Sequence, residues 1–556
     1  MLAIDSSLTL GFPQFPDSRL AVLANTLGPL AAWRETVAGG HRTAACAVAG
    51  DFAVGIREPD GTTFLASDRF GIRTLCYRVH KGQLLFAERA DTLADTGTEI
   101  DPQAIFDYLY FHVIPSPRTI YKDIHRLPPG HYALFKNGQL TVAPYWRPSF
   151  EEPRHASFTD LRDEFHQLLL DAVSAQLDGT QPACFLSGGT DSSTVAGMAA
   201  LASKTTVSTY SIGFDAQGYD EMEFARLASS HFKTEHHEYY VTPSDLVRSI
   251  PAVAAHFDQP FGNSSALPAY YCAKMAHADG VSRLLAGDGG DELFGGNSRY
   301  AKQKLFNFYN HVPSVLRTGV VEPLLDSRAG SISSGSRKAR SYVEQARTPM
   351  PDRMQMYNLV MRLGVETVLT PQLLARVNTS APLRLQREVW QGVPACSHLN
   401  QELAYDWRFT LAENDLPKVL GATSLANVAV GFPMLDERLL LFSQKLPVHY
   451  KLKGMQLRWF FKEALRGFLP DEILVKKKQG FGLPFGVWAN STPQLKALAT
   501  DSLHSLAARN LVQPDFIHSL LTQRLAEHPG YYGEMVWILM MLEQWLQKHA
   551  PSYRLA

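Results

Sequence analysis

Residues 185–193 of the chain read FLSGGTDSS, a hydrophobic strand end that runs into a Ser/Gly loop and then into a helix. The adjacent glycines Gly188 and Gly189 allow backbone N–H groups to turn inward as an anion-binding nest, and the following helix presents its positive N-terminal end. Asp191 stands where a carboxylate can hold Mg²⁺ against bound phosphates. Strand, loop, acidic residue and helix come in the order that a pyrophosphate-binding loop requires, although a plain Gly/Ser turn is the alternative.

The composition is typical of a soluble globular protein, with 45% hydrophobic and 19% charged residues among 556. This length predicts two or more domains. A formal net charge of −1 provides no basic field for nucleic acid or an anionic membrane, and no apolar run reaches membrane-spanning length. The first residues lack a signal-peptide pattern, and the five cysteines include no CxxC pair. We therefore expect a reduced, cytoplasmic location, with neither nucleic acid nor a membrane as partner.

Residues 1–150 are predicted to form a mostly antiparallel domain. Short strands with turn residues between them begin at 45–48 and 52–56, and a clear hairpin spans 132–142 around the turn Lys136-Asn137-Gly138. Residues 155–556 change to alternating helix and strand. Helix is predicted at 161–177, and the predicted strands are 183–186, 207–212, 236–241 and 284–286.

The spacing of these strands predicts βαβ units around a parallel sheet. Beyond residue 300 the sequence is almost wholly helical in pattern. We expect residues 326–340, which are basic and rich in Gly and Ser, to form a surface loop. The aromatic side chains of 513–545 are expected in the core rather than on a binding surface.

A second Gly-rich acidic loop, GDGGDELFGG (287–296), follows the strand predicted at 284–286. In a doubly wound sheet, ligands gather at the carboxyl ends of the strands, so this loop should face the same crevice as the first. Asp191 and Asp291 can then share a Mg²⁺ ion that neutralises departing pyrophosphate.

These motifs resemble known enzymes. The first loop is similar to the SGGxDS loop of the ATP-pyrophosphatase (PP-loop) enzymes, which split ATP between its α and β phosphates. The full set resembles the synthetase domain of asparagine synthetase B-type enzymes, a superfamily that includes β-lactam synthetases and lasso-peptide cyclases. The motifs that carry the resemblance are SGGTDSS (187–193), SIGF (211–214), EHHE (235–238), GDGGDELFGG (287–296), DLPKV (415–419), FPMLD (432–436) and KQGFGLP (478–484).

The resemblance implies an α/β PP-loop sheet of the adenine nucleotide α-hydrolase type with a largely helical C-terminal part. In this chemistry a substrate carboxylate attacks the α-phosphate of ATP, and an amine then displaces AMP from the acyl-adenylate. Asp191 and Asp291 would hold magnesium, and Lys478 would stabilise the negative charge that develops in amide formation. The other residues implied at the ATP site are Leu186, Ser187, Gly188, Gly189, Ser192, Ile212, Gly287 and Asp288.

The N-terminal region resembles the Ntn-like antiparallel sandwich of the class II glutamine amidotransferase domain in the segments GDFA (50–53), SDRFGIR (67–73) and FAE (86–88). That domain hydrolyses glutamine with an N-terminal cysteine. Here position 2 is Leu2, and the first cysteine, Cys46, is expected inside a strand. We therefore predict a degenerate domain that has lost its glutaminase.

A second departure concerns a glutamate before the family's Arg-Val-Pro-Phe-Leu-Asp run, which in relatives helps to position or deprotonate the amine. Counting back from Pro433 places it at Ala429. Either Glu413, Asp415 or Glu437 takes this role, or the amine arrives ready to react, or the transfer step has been lost.

Three hypotheses follow. The first is an ATP-dependent amide ligase without its own glutaminase, like the lasso-peptide cyclases or β-lactam synthetases, with a small-molecule or peptide carboxylate as substrate. A precursor peptide and a maturation protease are the partners that a cyclase would have. The second is an asparagine synthetase-like enzyme using free or partner-supplied ammonia, and the third is a non-catalytic nucleotide-binding homologue.

Overall fold

The computed structural model describes residues 7–153, 155–177, 179, 181–309, 313, 316–317, 334–356, 358–394, 396–476 and 482–556. The strands are β1 (Ser7–Gln14), β2 (Ala49–Arg57), β3 (Thr63–Ser67), β4 (Cys76–His80), β5 (Gln83–Ala87), β6 (His125–Arg126), β7 (His131–Lys136), β8 (Gln139–Pro144), β9 (Ala183–Phe185), β10 (Ser208–Phe214), β11 (Glu235–Val241), β12 (Arg283–Leu285), β13 (Ala429–Gly431), β14 (Leu452–Lys453) and β15 (Gln456–Leu457).

The helices in the first 310 residues are α1 (Ser18–Leu27), α2 (Pro29–Ala38), α3 (His41–Ala47), α4 (Ala90–Leu93), α5 (Pro102–Phe111), α6 (Phe158–Ser174), α7 (Thr190–Ala202), α8 (Met222–Phe232), α9 (Pro243–His256), α10 (Ala266–Ala278), α11 (Gly290–Phe294) and α12 (Ser298–Tyr309).

The later helices are α13 (Ser334–Arg347), α14 (Leu359–Leu363), α15 (Val365–Val368), α16 (Pro371–Leu374), α17 (Ala381–Gln391), α18 (His398–Asp406), α19 (Leu416–Leu425), α20 (Glu437–Lys445), α21 (Val448–Lys451), α22 (Trp459–Ala464), α23 (Asp471–Val475), α24 (Phe485–Ser491), α25 (Pro493–Ala508), α26 (Pro514–Ser519), α27 (Leu525–Glu527) and α28 (Pro529–His549). Two 3₁₀ helices (Asp352–Gln355, Pro433–Leu435) and two π-helices (Trp407–Asp415, Leu520–Arg524) interrupt this series.

The N-terminal domain is a sandwich of two antiparallel sheets. One sheet has the strand order β1-β2-β3-β7-β8, and the other has the order β5-β4-β6. Alternating apolar residues of both sheets fill the space between them, among them Leu65, Tyr77 and Phe86. Helices α1–α3 cover the outer face of the larger sheet through a cluster around Trp33. The prediction of an antiparallel sandwich is confirmed.

One local prediction in this domain is wrong. Residues 45–48 were expected to form a strand, but residues through Ala47 belong to helix α3, and strand β2 starts only at Ala49. The segment HRTAACA is rich in alanine, the best helix former. Ala44 and Ala45 are buried against the sheet, so tertiary packing supports the helix. Cys46 therefore lies on a helix and not in a strand.

The second half of the chain is built on a parallel sheet with the order β11-β10-β9-β12-β13. Its four predicted strands are confirmed within two residues, and β13 is an additional edge strand. Because all five strands are parallel, the loops after β9 and β12 emerge at the same edge. That edge carries the site described below.

The chain beyond this sheet is largely helical, as predicted. Of the loop predicted at 326–340, residues 326–333 lie outside the described residues, and α13 begins at Ser334. The long helix α28 buries Trp537 and Trp545 at 2% and 0% exposure, which confirms that these aromatics belong to the core. Within the described part of the chain, no helix combines the length and apolarity needed to cross a bilayer.

Candidate active site

The two predicted loops touch each other at the carboxyl edge of the parallel sheet. Gly188 has a φ of +70°, and a Cβ there would lie 2.5 Å from the backbone nitrogen of Ala225 on α8. A Cβ on Gly287 would lie 2.7 Å from the backbone nitrogen of Ser192. Glycine is therefore required at both positions, at the first for the turn and at the second for the contact between the loops.

Asp191 and Asp291 meet at a buried arginine, Arg458. Its Nη1 lies 2.6 Å from Oδ2 of Asp191 and 3.0 Å from Oδ1 of Asp291, and its Nη2 makes a further bond to Asp191. The Arg458 side chain lies 4.0 Å from the centre of the Phe461 ring and is almost wholly buried. The predicted pair of metal ligands is thus brought together around one cation.

These two carboxylates fit Mg²⁺. Both reach a single positively charged atom, and carboxylate oxygen is a ligand that Mg²⁺ prefers. Among the described residues, no group of three or more His, Cys, Asp or Glu side chains converges in the manner of an all-protein metal cage. Mg²⁺ bound by one or two carboxylates normally completes its shell with substrate phosphates and water.

A second charged group lies beside the first. Nζ of Lys418 lies 3.0 Å from Oδ1 of Asp415 and 3.4 Å from Oδ1 of Asp288. Burial raises the pKa of the Asp288 carboxyl, and Lys418 opposes that shift. Burial alone would lower the pKa of the Lys418 ammonium, but Asp415 and Asp288 outweigh it and the pKa is raised. Lys418 therefore stays charged while it holds a carboxylate whose proton affinity is increased.

A cavity of about 1060 Å³ lies over both groups. Of the residues predicted to bind ATP or magnesium, those that line it are Leu186, Ser187, Gly189, Asp191, Ser192, Ile212, Gly287, Asp288 and Asp291. Gly188 is not among the lining residues, because it is turned toward α8. In the first loop, the hydroxyls of Ser187 and Ser192 lie 3.0 Å apart, and the Ser187 N–H donates to Oγ of Ser192 at 3.1 Å.

The predicted catalytic lysine, Lys478, lies outside the described residues. Its neighbour Lys476 lines the cavity and is held in place. Nζ of Lys476 lies 2.9 Å from Oε1 of Glu221 and 4.4 Å from the centre of the Phe224 ring. At least this member of the lysine run is a paired residue of the site rather than a solvated surface charge.

Comparison with known proteins agrees with this geometry. The family model described as asparagine synthase matches residues 164–547, and one described as a glutamine amidotransferase domain matches residues 31–146. The chain belongs to the asparagine synthase family. As a member it is an ATP-dependent carbon–nitrogen ligase.

Several curated relatives are similar to the chain. Asparagine synthetase [glutamine-hydrolyzing] 1 of Bacillus subtilis is 25% identical over 491 residues, which cover 87% of this chain and 75% of the relative. Putative asparagine synthetase [glutamine-hydrolyzing] 2 of Methanocaldococcus jannaschii is 33% identical over 267 residues, 46% of this chain and 51% of the relative. Amidase chry2 of Gibberella zeae is 27% identical over 281 residues, which cover 46% of this chain and 41% of the relative.

The structure places Ala429 outside the lining of the cavity. Ala429 is exposed at the first position of β13, paired with Arg283 at the first position of β12. It therefore lies at the amino end of the sheet, opposite the loops, and does not line the cavity.

The three carboxylates proposed to replace a glutamate at 429 have different positions. Glu413 is buried in a cluster of ion pairs with Arg126 and Arg408, and Glu437 pairs with Arg69 at 2.9 Å. Of these three carboxylates, Asp415 alone lines the cavity, where it lies near Asp288.

Sequence reasoning missed two residues of this asparagine synthase site. Arg458 is separated from Asp191 by 267 positions and belongs to none of the motifs. Lys418 does lie in the DLPKV motif, so its place in that motif was a usable signal.

Proposed function

We propose that this chain adenylates a carboxylate with ATP and transfers the acyl group to an amine that does not come from glutamine hydrolysed by its own N-terminal domain. The observation that carries the proposal is the convergence of Asp191, Asp291 and Arg458 with the Asp288–Lys418–Asp415 group in one cavity. The first set, Asp191, Asp291 and Arg458, suits the binding of a triphosphate. The second, Asp288, Lys418 and Asp415, suits an amine that must lose a proton.

The residues divide between the two steps. Asp191 and Asp291 would hold Mg²⁺, which supplies neutralisation of the charge on the pyrophosphate leaving group. Arg458 joins the two carboxylates, because its two Nη atoms hydrogen-bond to both of them. The glycine-rich loops and the N-terminal end of α7 offer backbone N–H groups to the phosphates. By resemblance, Lys478 stabilises the charge that develops on the acyl group.

Asp288 is the proposed proton acceptor for the amine. It lines the cavity, and its pKa is raised by burial, so its carboxylate is a stronger base than an exposed aspartate. Lys418 fixes its orientation, and Asp415 fixes Lys418. This assignment gives Asp288 the role that a glutamate has in relatives, which counting along the sequence placed at Ala429.

The cysteines of the N-terminal domain support a lost glutaminase. Residues 1–150 contain Cys46 and Cys76. Cys76 is buried in β4, and burial raises the pKa of its thiol well above the ordinary value, which disfavours the nucleophilic thiolate. Cys46 lies near the end of α3, where its Sγ donates to the backbone oxygen of Tyr145 at 3.5 Å.

The proposal is tested with the full chain, Mg·ATP and a panel of carboxylic acids that begins with L-aspartate. Pyrophosphate release is followed with hydroxylamine as acceptor, because this strong nucleophile is neutral at pH 7 and traps an acyl-adenylate without a base. Amide formation is then compared with ammonia. Asp288→Asn is expected to keep hydroxamate formation and to lower amide formation about 100-fold.

Asp352→Asn is the matched control, since Asp352 pairs with Arg387 and neither residue lines the cavity. A chain that binds ATP but releases no pyrophosphate with any acid would be a non-catalytic homologue. Acceptance of aspartate with ammonia would support the asparagine synthetase-like alternative. Acceptance of a substrate that carries its own amine would favour a reaction like that of the β-lactam synthetases or lasso-peptide cyclases.

A further inference from the structure

A buried ion cluster joins the N-terminal domain to the helix that leads into the active site. Oε1 of Glu413 accepts hydrogen bonds from the backbone N–H and the hydroxyl of Ser116, at 3.1 and 2.7 Å. Oε2 accepts from Nη2 of Arg126 at 2.7 Å, and Arg408 pairs with Oε1. Ser116 and Arg126 belong to the N-terminal domain, so three of these four contacts come from it. Glu413 is 3% exposed.

The cluster depends on an unusual backbone. Arg408 and Glu413 lie on Trp407–Asp415, a π-helix of nine residues. In a π-helix the backbone bonds run from i to i+5, so residues five apart lie on one face. An α-helix, with 3.6 residues per turn, would place Arg408 and Glu413 about 140° apart. The π form therefore brings the two side chains to the same face of the helix, where they pair.

The same π-helix contacts the synthetase site at both of its ends. At its start, Nε1 of Trp407 donates to the backbone oxygen of Glu292 at 2.8 Å, directly after the magnesium loop. At its end stands Asp415, which holds Lys418 at 3.0 Å, and Lys418 reaches Asp288 at 3.4 Å. A change in the helix register would rotate Asp415 relative to Trp407 and separate Lys418 from Asp288.

The N-terminal domain also packs on the start of the π-helix. The ring of Trp407 stacks on that of Trp146 at 6.1 Å and meets the edge of Phe70 at 6.3 Å. At Glu413, two guanidinium groups share one carboxylate. Loss of that carboxylate charge would leave two like charges buried together, so the cluster would open.

We infer that Glu413, Arg126 and Ser116 are positioning residues for amide formation. The N-terminal domain holds the π-helix in register, and the π-helix places Asp415 and Lys418 against Asp288. The inference rests on the proposed function in one respect, the action of Asp288 on the amine. The domain similar to glutamine amidotransferases thus serves ligation as a scaffold for the base.

The first test measures the helix itself and needs no substrate. Hydrogen–deuterium exchange is followed in the full chain for residues 407–418 and 286–291. Glu413→Gln, which keeps the shape and removes the charge, is expected to speed exchange there at least about tenfold, with α7 unchanged. Arg126→Met should do the same, and Arg126→Lys should restore most of the protection.

Arg69→Met is the matched control, because the Arg69–Glu437 pair also joins the two domains but does not touch the π-helix. It should change the thermal midpoint without selective exchange in 407–418. Equal exchange in this segment for Glu413→Gln and Arg69→Met would overturn the inference. Faster exchange spread evenly over the chain would also overturn it.

The second test uses the two acceptors of the preceding section. Glu413→Gln is expected to lower kcat for amide formation with ammonia at least about tenfold, with hydroxamate formation and the KM for Mg·ATP within about twofold. Equal loss of both products would indicate a merely structural cluster and would contradict the inference. If no acid yields hydroxamate even in the parent chain, the proposed function fails, and the exchange experiment alone decides whether the cluster positions the helix.

Discussion

The two domains use similar acidic, glycine-containing loops in opposite ways. In the N-terminal SDRFGIR segment, Asp68 accepts hydrogen bonds from the backbone N–H groups of Phe70, Ile72 and Arg73 at 2.9 to 3.1 Å. In the synthetase loop, Asp291 and Asp288 face a cavity and contact the side chains of Arg458 and Lys418 instead.

The difference separates family residues that maintain a fold from residues that perform chemistry. A carboxylate that accepts three hydrogen bonds from its own loop has little acceptor capacity left for a ligand, and it stabilises the loop that contains it. A carboxylate bound by the side chain of a distant helix remains accessible from the cavity. A family motif in a sequence therefore does not show whether its carboxylate stabilises the loop or serves the chemistry. The hydrogen-bond partners of the carboxylate decide between the two.

The largest expected effect is loss of ATP cleavage when a carboxylate of the synthetase loops is removed. Asp191→Asn and Asp291→Asn each take away half of the charge that fits Mg²⁺, so pyrophosphate release should fall at least about a thousandfold. The measurement is pyrophosphate release with hydroxylamine as acceptor, and Asp352→Asn, which lies away from the cavity, is the control. Near-normal release in either variant would contradict the metal assignment.

The buried Lys451 in the synthetase half should make the free energy of unfolding rise with pH. Burial lowers the pKa of Lys451 to about 7, from an ordinary value of 10.5. The folded state then binds fewer protons than the unfolded state between pH 7 and 10.5, so the free energy of unfolding increases across that window.

Lys451→Met should remove this dependence, with a change of several kcal/mol relative to the parent chain, measured by urea unfolding at pH 7 and pH 10. The substitution of exposed Lys453 by Met is the control. Parallel pH profiles of the parent chain and Lys451→Met would show that the ammonium is not destabilised by burial.

The buried Asp68 in the N-terminal domain should make the free energy of unfolding fall as the pH rises. Burial raises the pKa of Asp68 to about 6, from 3.8, against its backbone hydrogen bonds. The folded state therefore binds more protons than the unfolded state between pH 4 and 6, and stability falls as pH rises.

Relative to Asp68→Asn, the parent chain should lose about 3 kcal/mol of unfolding free energy between pH 4 and pH 7, measured by urea unfolding at each pH. A constant difference between the two proteins would mean that the three N–H donors offset the burial of the charge completely.

Much of the fold and half of the site could be predicted from the sequence, because their signals are local. The glycine-rich loops after short apolar strands located Asp191, Asp288 and Asp291, and strand spacing located the parallel sheet. The strand β13 has only three residues and no turn signal, and α3 replaced a predicted strand because its alanines pack on a distant sheet.

The rest of the site depends on tertiary contacts. Arg458 comes from a segment with no motif, and its meeting with Asp191 is set by how α22 packs beside the loops. The location of Ala429 follows only from the register of β13 against β12, which places it at the amino end of the sheet, opposite the cavity. Counting residues back from Pro433 reaches strand β13, but the count does not show which end of that strand lies next to the cavity.

The smallest expected effect is at Cys46, and it tests the difference between the domains most directly. Cys46 is the exposed cysteine of the N-terminal domain, and its Sγ donates a long hydrogen bond to the backbone oxygen of Tyr145 at 3.5 Å. Because serine can make the same bond, Cys46→Ser should change the unfolding free energy by less than about 0.5 kcal/mol and leave ligation unchanged. Urea unfolding measures the free energy, pyrophosphate release and amide formation measure ligation, and ammonia release from glutamine is followed in the same samples. Release of ammonia by the parent chain, abolished in Cys46→Ser, would make the N-terminal domain a catalyst rather than a scaffold, and the contrast drawn between Asp68 and Asp291 would no longer separate the two domains.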